Sequence, residues 1–332
     1  MTKPAVLVTG GAGYIGSHAV LALKDAGWRV AVIDDLSNGS RDLVPQDVPF
    51  YQGSIAETVL LDSILDEQQV GAIMHFAGSI VVPESVEHPL KYYANNTLAS
   101  HQLTSAAVDA GVKHILFSST AAVYGAPDRV PIGEDDPKLP INPYGASKLM
   151  TERMLEDASA AHPFNFGALR YFNVAGADPK GRTGQIGRGS THLIKIACEA
   201  AVGKRPHVAI YGDDYPTPDG TCIRDYIHVS DLAAAHVAAL DWLTQHPGEN
   251  LVVNCGYGQG LSVLEVLDAV DRASGAPLKR VIEASRAGDP PALVAANARL
   301  LETLDWRPAY ADIDRIVGDA LAWEKTLLER PA

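Results

Sequence analysis

Cysteine is scarce in this sequence of 332 residues. The three cysteines, Cys198, Cys222 and Cys255, are odd in number and widely spaced, which fits neither a disulfide framework nor a paired zinc site. The eleven histidines also lack the paired spacing of a metal site. We therefore expect the cysteines to be small buried side chains, and we expect no metal.

Positive charge is in equally short supply. Lysine and arginine together number 27 against 40 aspartates and glutamates, which leaves a net charge of −13. A protein with this balance has little to attract a phosphate backbone. We therefore expect no nucleic-acid partner.

Long hydrophobic runs are missing as well. The apolar run at 232–240 is interrupted by His236 and is far shorter than the ~20 apolar residues of a membrane span. Near the N-terminus only Lys3 precedes a short apolar run that ends in glycines, a pattern unlike a secretory signal. We expect a cytoplasmic protein that binds no membrane. Its 47% hydrophobic and 20% charged residues are typical of a globular chain, and its length indicates about two domains.

Up to residue 172, short β-branched runs alternate with longer helical stretches. This rhythm predicts βαβ units and a parallel sheet with helices on both faces. We expect strands at 5–9, 29–34, 48–52, 72–76, 113–119 and 164–172. We expect helices at 14–26, 57–69, 90–110 and 143–161.

A Gly- and Pro-rich segment at 175–190 ends this rhythm and indicates a loop or domain transition. Beyond it we expect helices at 192–202, 230–244, 262–274 and 312–328, mixed with short strands. We predict a first domain at 1–175 and a smaller α/β lobe at 176–332. Residues 222–256 are the segment that we expect to re-enter the first domain.

The first predicted strand runs into the glycine-rich segment TGGAGYIGSH at 9–18, which then opens a helix. The segment contains both Gly11-x-Gly13-x-x-Gly16 and Gly10-x-x-Gly13-x-x-Gly16, the spacings of a dinucleotide-binding fingerprint. Glycine lets the backbone turn sharply and approach a pyrophosphate, and the helix N-terminus offers it free N–H groups. This segment therefore predicts a dinucleotide cofactor.

Asp34 ends the second predicted strand, 18 residues after Gly16. A carboxylate at this place can accept hydrogen bonds from the adenosine ribose hydroxyls and would repel a 2′-phosphate, which favours NAD over NADP. The neighbouring Asp35 is an alternative for this role. Both aspartates could instead only cap a turn in the segment DDLSNGS.

Tyr144 and Lys148, in the segment PYGASK, are four residues apart at the start of a predicted helix. They therefore share one helix face. A nearby ammonium favours the phenolate and brings a tyrosine into range as a base near neutral pH. The alternative is an ordinary surface pair on a helix.

The strand before this helix ends in FSSTAAVYG at 117–125. It would bring Ser118, Ser119 and Thr120 to the carboxyl edge of the sheet, where ligands bind in such folds. We select Thr120 as a hydroxyl that relays a proton between substrate and Tyr144. The alternative for Thr120 is a backbone-capping role at the strand end.

Several segments together resemble the extended short-chain dehydrogenase/reductase superfamily, and within it the UDP-glucose 4-epimerase family. They are TGGAGYIG (9–16), Asp34, HFAG (75–78), SVEHPLKYYANN (85–96), FSSTAAVYG (117–125), NPYGASK (142–148), RYFNVAGA (170–177), AIYGDDYPTPDGTCIRDYIHVSDLA (209–233) and RAGDPPA (286–292). The resemblance spans nearly the whole chain. It implies an α/β fold with a Rossmann-type doubly wound parallel sheet and a second, smaller α/β lobe for the substrate.

The resemblance also implies a reaction. The family uses a tightly held NAD catalytically to interconvert UDP-glucose and UDP-galactose through a 4-keto sugar that turns before it is reduced again. Tyr144 would remove the 4-hydroxyl proton, Lys148 would tune it and bind the nicotinamide ribose, and Thr120 would relay the proton. The family is commonly dimeric, which implies a homodimer.

The resemblance assigns binding roles residue by residue. The positions implied to hold NAD are Gly10, Gly13, Tyr14, Ile15, Gly16, Asp34, Asn38, Ser54, Ile55, Phe76, Ala77, Gly78, Asn95, Tyr144, Lys148 and Phe172. The positions implied to hold the UDP-sugar are Thr120, Tyr144, Asn173, His192, Leu193, Tyr211, Arg224, Arg286, Asp289 and Leu293. Planar guanidinium groups suit phosphate oxygens, which supports the two arginines. Salt bridges to neighbouring aspartates are the alternative for both.

The sequence departs from the family pattern at several of these places. Ser54 replaces a carboxylate beside the adenine, and Ile80 replaces a lysine near the cofactor phosphates, so we expect weaker retention of NAD. Thr191 and His192 replace an asparagine pair, and histidine can still donate to phosphate or uracil. Leu293 replaces a tyrosine, which predicts room for a larger substituent at sugar C2.

Other functions of such a fold differ in the residues that they require. Related dehydratases carry an Asp-Glu pair where this chain has Ala121 and Ala122, so elimination has no evident proton route. A 4-epimerase of UDP-N-acetylhexosamine, UDP-glucuronate or a UDP-pentose would use the same Tyr144 and Lys148, and remains an alternative. A non-catalytic NAD-binding regulator is the alternative from another class, because a fold does not guarantee a function.

Overall fold

A computed structural model describes residues 4–187, 190–286 and 289–329. The strands are β1 (Ala5–Thr9), β2 (Arg29–Asp34), β3 (Phe50–Gln52), β4 (Val70–His75), β5 (His114–Thr120), β6 (Asn165–Tyr171), β7 (Asn173–Ala175), β8 (Val208–Tyr211), β9 (Ile223–His228), β10 (Leu251–Cys255), β11 (Gly260–Ser262), β12 (Arg280–Glu283) and β13 (Ala292–Leu293). The helices are α1 (Tyr14–Asp25), α2 (Thr58–Glu67), α3 (Val82–Glu87), α4 (Pro89–Tyr92), α5 (Ala99–Asp109), α6 (Pro143–Ala161), α7 (Leu193–Ala201), α8 (Val229–Gln245), α9 (Val263–Ser274), α10 (Ala298–Thr303) and α11 (Ile313–Glu329).

The main sheet has seven parallel strands in the order β10-β6-β5-β4-β1-β2-β3. All five residues of β1 are buried, as expected for a central strand that is covered on both faces. The chain runs outward from β1 through β2 to β3, and then returns to β4 on the other side of β1. This confirms the predicted doubly wound parallel sheet. Its switch point lies between β1 and β4, the position where such sheets bind ligands.

Most predicted helices begin and end within two residues of the observed ones, and α6 has the predicted bounds. The prediction of one continuous helix at 90–110 is wrong. A wide π-helical turn at Tyr93–Leu98 separates α4 from α5. The wider turn carries the buried Asn96, whose side chain bonds the loop after β4. Such turns often occur at functional sites.

A second core lies in the later part of the chain. Strand β9 pairs with β7, β11 and β13, while β12 pairs with β8 in a separate two-stranded sheet. Helices α7, α9 and α11 pack together around buried apolar side chains that include Ile194, Val208, Val266 and Val317. The apolar stripe of α9 is flanked by a complete capping box between Ser262 and Glu265, which defines where that helix begins.

The later part of the chain also contributes to the main sheet. Helix α8 packs against α1, and β10 pairs in parallel with β6. Leu232, Leu240 and Val253 thereby join the same apolar core as Val6 and Leu23 of the first βα unit. No helix within the described residues is both long and apolar enough to cross a membrane. All three cysteines are free and buried.

Candidate functional site

The turn between β1 and α1 has the backbone shape of a phosphate-binding loop. Gly10 has a φ of +69°, and a Cβ at Gly16 would lie 2.1 Å from the Gly10 carbonyl oxygen, so both positions require glycine. The Gly13 N–H donates to that same oxygen at 3.1 Å. Gly13 caps α1 without a side-chain hydrogen bond, which leaves the first-turn N–H groups of Tyr14 and its successors for an anion. The loop therefore fits the pyrophosphate of a dinucleotide.

The structure distinguishes between Asp34 and Asp35. Asp34 is buried, and its Oδ2 accepts from the Ala12 N–H of the glycine loop at 2.9 Å, while its Oδ1 accepts from the Leu36 N–H at 2.8 Å. Burial raises the pKa of Asp34. Asp35 instead accepts from the N–H and hydroxyl of Ser37, and so closes an exposed turn. Asp34 is thus the carboxylate that lies against the glycine loop.

The other predicted cofactor positions follow the ends of neighbouring strands. Ser54 and Ile55 come after β3, Phe76, Ala77 and Gly78 after β4, and Phe172 after β6. Parallel strands bring these ends to one edge of the sheet. Asn38 follows β2 and is exposed, and the exposed Asn95 in the wide turn donates to the Ser79 hydroxyl at 2.9 Å.

Ser54, which stands where the family pattern has a carboxylate, stabilises a turn, and the sequence did not predict this role. Its hydroxyl accepts from the Ala56 N–H at 3.2 Å, and its own N–H donates to Glu57 Oε1 at 2.7 Å. These bonds shape the turn that leads into α2. Ile55 is buried in the core beneath that turn.

Helix α6 brings Tyr144 to the end of β5. The helix begins with the Asn142 side chain accepting from the Gly145 N–H at 2.8 Å, and Pro143 occupies the first turn. The Tyr144 hydroxyl lies near Thr120, the last residue of β5. Burial raises the pKa of Tyr144, and the interaction with Thr120 opposes that shift. The Thr120 hydroxyl also accepts from the Ala122 N–H at 3.1 Å, which is the backbone-capping role given above as its alternative.

Lys148 lies one turn further along the same face and is buried. Its Nζ donates to the Ser118 carbonyl oxygen at 2.8 Å and lies 4.8 Å from the centre of the Phe117 ring. Burial lowers the pKa of Lys148 to about 8, and the charge of Glu152 works against that shift. A Cβ placed on Gly78 would lie 3.9 Å from Nζ, so the loop after β4 passes directly beside the lysine.

Sequence reasoning missed the side chains that hold this arrangement together. Asn96 accepts from the Ser79 N–H at 2.7 Å and donates to the Ser147 hydroxyl on α6 at 3.0 Å. Tyr92 is fully buried and places its ring edge-on to Tyr144, with centroids 6.4 Å apart. Tyr92 and Asn96 are four residues apart in the segment YYANN, and this helical spacing was the sequence signal that could have identified them.

The predicted substrate residues form a second group around β8, β9 and β13. Arg224 Nη2 lies 2.5 Å from Asp289 Oδ1, and the Arg286 guanidinium lies over the Tyr211 ring at 3.8 Å. Leu293 pairs in register with Arg224 across β13 and β9. A cluster of guanidinium groups beside an aromatic ring can bind a diphosphate and stack on a base.

Two contacts relate this second group to the first. Leu293 packs into the same apolar cluster as Ala121 and Phe172. Ala121 directly follows Thr120, and Phe172 directly follows β6. Asn173 begins β7, immediately after Phe172. His192 and Leu193 stand at the start of α7, where the Gln185 side-chain nitrogen lies 3.0 Å from His192 Nδ1.

Comparison with known proteins places these features in a family. Residues 6–256 match the NAD dependent epimerase/dehydratase family. UDP-glucose 4-epimerase of Azospirillum brasilense is 58% identical, over 98% of this chain and 93% of that protein.

Solved structures agree in fold. The structure of UDP-glucose 4-epimerase from Brucella ovis in complex with NAD is 44% identical, covers 96% of this chain and 98% of its own, and superposes with a TM-score of 0.93. The structure of the Bifidobacterium longum UDP-glucose 4-epimerase in complex with NAD+ and UDP is 38% identical, covers 97% and 98%, and has a TM-score of 0.92. The glycine loop, the Thr120–Tyr144 pair and these matches lead to one conclusion: the chain belongs to the NAD dependent epimerase/dehydratase family.

Proposed function

We propose that this protein is a UDP-glucose 4-epimerase, which interconverts UDP-glucose and UDP-galactose with a bound NAD and no net redox change. The observation that carries the proposal is the contact between Tyr144 and Thr120 at the carboxyl edge of the sheet, with Lys148 one turn away. The relatives and the NAD-bound structures named above support the same activity.

The side chains divide the proton chemistry among them. Tyr144 takes the proton of the sugar 4-hydroxyl, and Thr120 relays it because its hydroxyl can donate and accept. Lys148 lies one helix turn from Tyr144, whose pKa is raised by burial, and its positive charge would favour the tyrosinate form. A bound NAD would supply the acceptor and donor of the hydride that leaves and returns to sugar C4.

The cofactor would be held by the features that fit it. The free N–H groups at the start of α1 would bind the pyrophosphate, and Asp34 would accept from the adenosine ribose. Lys148 would bind the nicotinamide ribose. The remaining positions predicted for NAD keep these roles as proposals.

The substrate would be anchored by its nucleotide rather than its sugar. Arg224 and Arg286 would bind the diphosphate, and Tyr211, whose ring lies under the Arg286 guanidinium, would contact the nucleotide. Asn173, His192, Leu193 and Asp289 complete the proposed pocket. Anchoring the UDP leaves the sugar free to turn, which the return of hydride to the opposite face requires.

A second substrate class rests on Leu293. This half-buried side chain lies beside Phe172, where a tyrosine in relatives would narrow the sugar pocket. We therefore propose UDP-N-acetylhexosamines as additional substrates. Good turnover of UDP-glucose without turnover of UDP-N-acetylglucosamine would exclude this extension.

We also propose a homodimer built from the α5–α6 side of the molecule. Leu90, Leu98 and Met150 are exposed there, and an apolar groove runs between Tyr93 and Met154. Sedimentation of the purified protein, compared with that of a Met150→Glu variant, tests this.

Three free, buried cysteines fit the reducing cytoplasm, which we propose as the location. The division into an NAD domain at 1–175 and a UDP-sugar domain at 176–332 also remains a proposal.

The deciding experiment incubates the purified protein with UDP-galactose, without added NAD. Formation of UDP-glucose with no accumulation of NADH is the expected result. Conversion only after NAD is added would indicate weak retention, as Ser54 and Ile80 predict. NAD binding without conversion of any UDP-sugar would favour the non-catalytic alternative.

A further inference from the structure

The end of β5 is joined to α6 by three consecutive residues. The Thr120 side chain lies near the Tyr144 hydroxyl, the Ser118 carbonyl oxygen accepts from Lys148, and the Ser119 hydroxyl donates to Glu152 Oε1. The three α6 partners are spaced four residues apart and lie on successive turns of one helix face. Two of these contacts involve the proposed catalytic residues, and the third has no role in the proposed chemistry.

That third contact is tied to a buried ion pair. Arg170 on β6 binds Glu152 twice, with Nη2 at 2.6 Å from Oε2 and Nε at 3.0 Å from Oε1. Both side chains are buried. Ser119 and Arg170 are also register partners in the sheet. Planar two-point pairing of this kind restricts the orientation of both groups.

The arginine is held from its other side as well. Its Nη1 donates to the Tyr124 hydroxyl at 2.8 Å and to the Glu134 carbonyl oxygen at 3.0 Å. Tyr124 in turn donates to Asn254 Oδ1 at 2.7 Å. The network thus joins α6 and the end of β5 to β6, β10 and the segment after Thr120. A buried network whose members are satisfied is rigid.

We propose that Glu152 is a positioning residue of the active site: through Ser119 and the single helix turn to Lys148, it fixes where the Lys148 ammonium and the Thr120 hydroxyl stand relative to Tyr144. The inference rests on the proposed function for the roles of those three residues. The contacts that carry it are independent of that function.

The charge of Glu152 adds a second, separable effect. Within the described part of the chain, the charges of Lys148 and Glu152 on α6 interact, and so do those of Lys148 and His75 on β4; Arg170 lies behind Glu152, and Tyr144 is one helix turn away. His75 is buried and neutral, its pKa lowered to about 3. The charge of Glu152 raises the pKa of the buried lysine against the effect of burial, and its loss would lower that pKa further.

The test begins with Glu152→Gln, which keeps the shape and removes the charge. We expect kcat for UDP-galactose to fall about tenfold or more with little change in KM, and the alkaline limb of the kcat profile to move down by about one pH unit. Glu152→Asp keeps the charge but is shorter, so it should retain the alkaline limb and lose part of kcat.

A matched control separates positioning from general destabilisation. Glu324 on α11 is also a buried carboxylate paired with two lysines, Lys195 and Lys204, away from the proposed chemistry. Glu324→Gln should lower thermal stability while leaving kcat and its pH profile unchanged. A second readout needs no turnover: NMR titration of 13C-labelled lysine, with the Lys148 signal assigned by its loss in Lys148→Met, should show a lower pKa in Glu152→Gln.

The outcomes are distinct. Wild-type protein that converts no UDP-sugar contradicts the proposed function, and the lysine titration then still tests the inference. Active wild type with a Glu152→Gln variant that matches it in kcat, pH profile and lysine titration overturns the inference, as does an equal loss of kcat in Glu324→Gln. If Glu152→Gln does not fold, Ser119→Ala preserves both charges. A several-fold fall in its kcat supports the inference, and an unchanged kcat overturns it.

Discussion

The two halves of the proposed site are built in different ways. The catalytic half consists of the end of β5 and the first turns of α6, where Thr120 lies near Tyr144 and where Thr120 and Lys148 form hydrogen bonds with adjacent backbone. The substrate half comes from several separated segments, and its charged groups already have protein partners: Arg224 binds Asp289, and Arg286 covers Tyr211.

The difference teaches what each half has to do. Chemistry needs reacting groups held in place before the substrate arrives, so the catalytic half lies on rigid elements. Binding a diphosphate requires Arg224 to share or exchange its contact with Asp289, so the substrate half has to rearrange its contacts. Changes in the first half should therefore alter kcat, and changes in the second should alter KM.

The largest expected effect comes from Tyr144→Phe. Loss of the hydroxyl removes the proton acceptor while the ring keeps its edge-on contact with Tyr92, so the fold should survive. We expect kcat to fall about 10³-fold with a small change in KM, measured by conversion of UDP-galactose. An unaffected kcat would remove Tyr144 from the catalytic half.

Acid should lower the stability of the core around the main sheet. His18, His75 and His236 are buried there with their pKa values lowered to about 4, 3 and 4. Because their folded pKa values lie below the ordinary value of ~6.5, their neutral forms stabilise the fold above that pH, and this stability is lost as pH falls from 6.5 toward 4. We expect a loss of about 2 kcal/mol per histidine at pH 5 in urea unfolding. The exposed His162, which lies outside the proposed dimer groove, offers the control, since His162→Gln should leave the pH dependence unchanged.

Arg224→Lys tests the substrate half. Lysine keeps the charge but loses the planar fork, so the diphosphate loses paired hydrogen bonds. We expect KM for UDP-galactose to rise about tenfold with kcat within a few-fold of wild type. Arg272→Lys, in an exposed ion pair with Asp314, is the control and should leave both constants unchanged. A fall in kcat alone would contradict the division between the halves.

The smallest effect is a stabilisation. Gly318 lies inside α11 with open space where a Cβ would be, so Gly318→Ala should raise the free energy of unfolding by about 0.5–1 kcal/mol. The contrasting change is Gly16→Ala, whose Cβ would collide with the Gly10 oxygen. Thermal melts and the NAD content of both variants test the pair. Retained NAD in Gly16→Ala would contradict the role of the loop.

Much of this could be predicted because it depends on residues close together in the chain. The glycine spacing at 10–16 and the four-residue spacing of Tyr144 and Lys148 each encode a local geometry, and alternation of strands and helices encodes the parallel sheet. The wide turn at Tyr93–Leu98 was missed because apolar periodicity alone predicts a regular helix there. The side chain of Asn96 in this turn bonds Ser79 and Ser147, contacts between residues distant in sequence that periodicity does not predict.

The amino-acid order thus sufficed for the fold class, for the sharp turn of the glycine loop and for the shared helix face of Tyr144 and Lys148, since backbone sterics and helix periodicity act over a few residues. Folding decided which of Asp34 and Asp35 lies against the glycine loop, where the Lys148 ammonium donates, and that Glu152 and Arg170 meet behind it. These outcomes depend on burial and on hydrogen bonds between segments far apart in the chain. Both arise only when the elements pack and water is excluded between them.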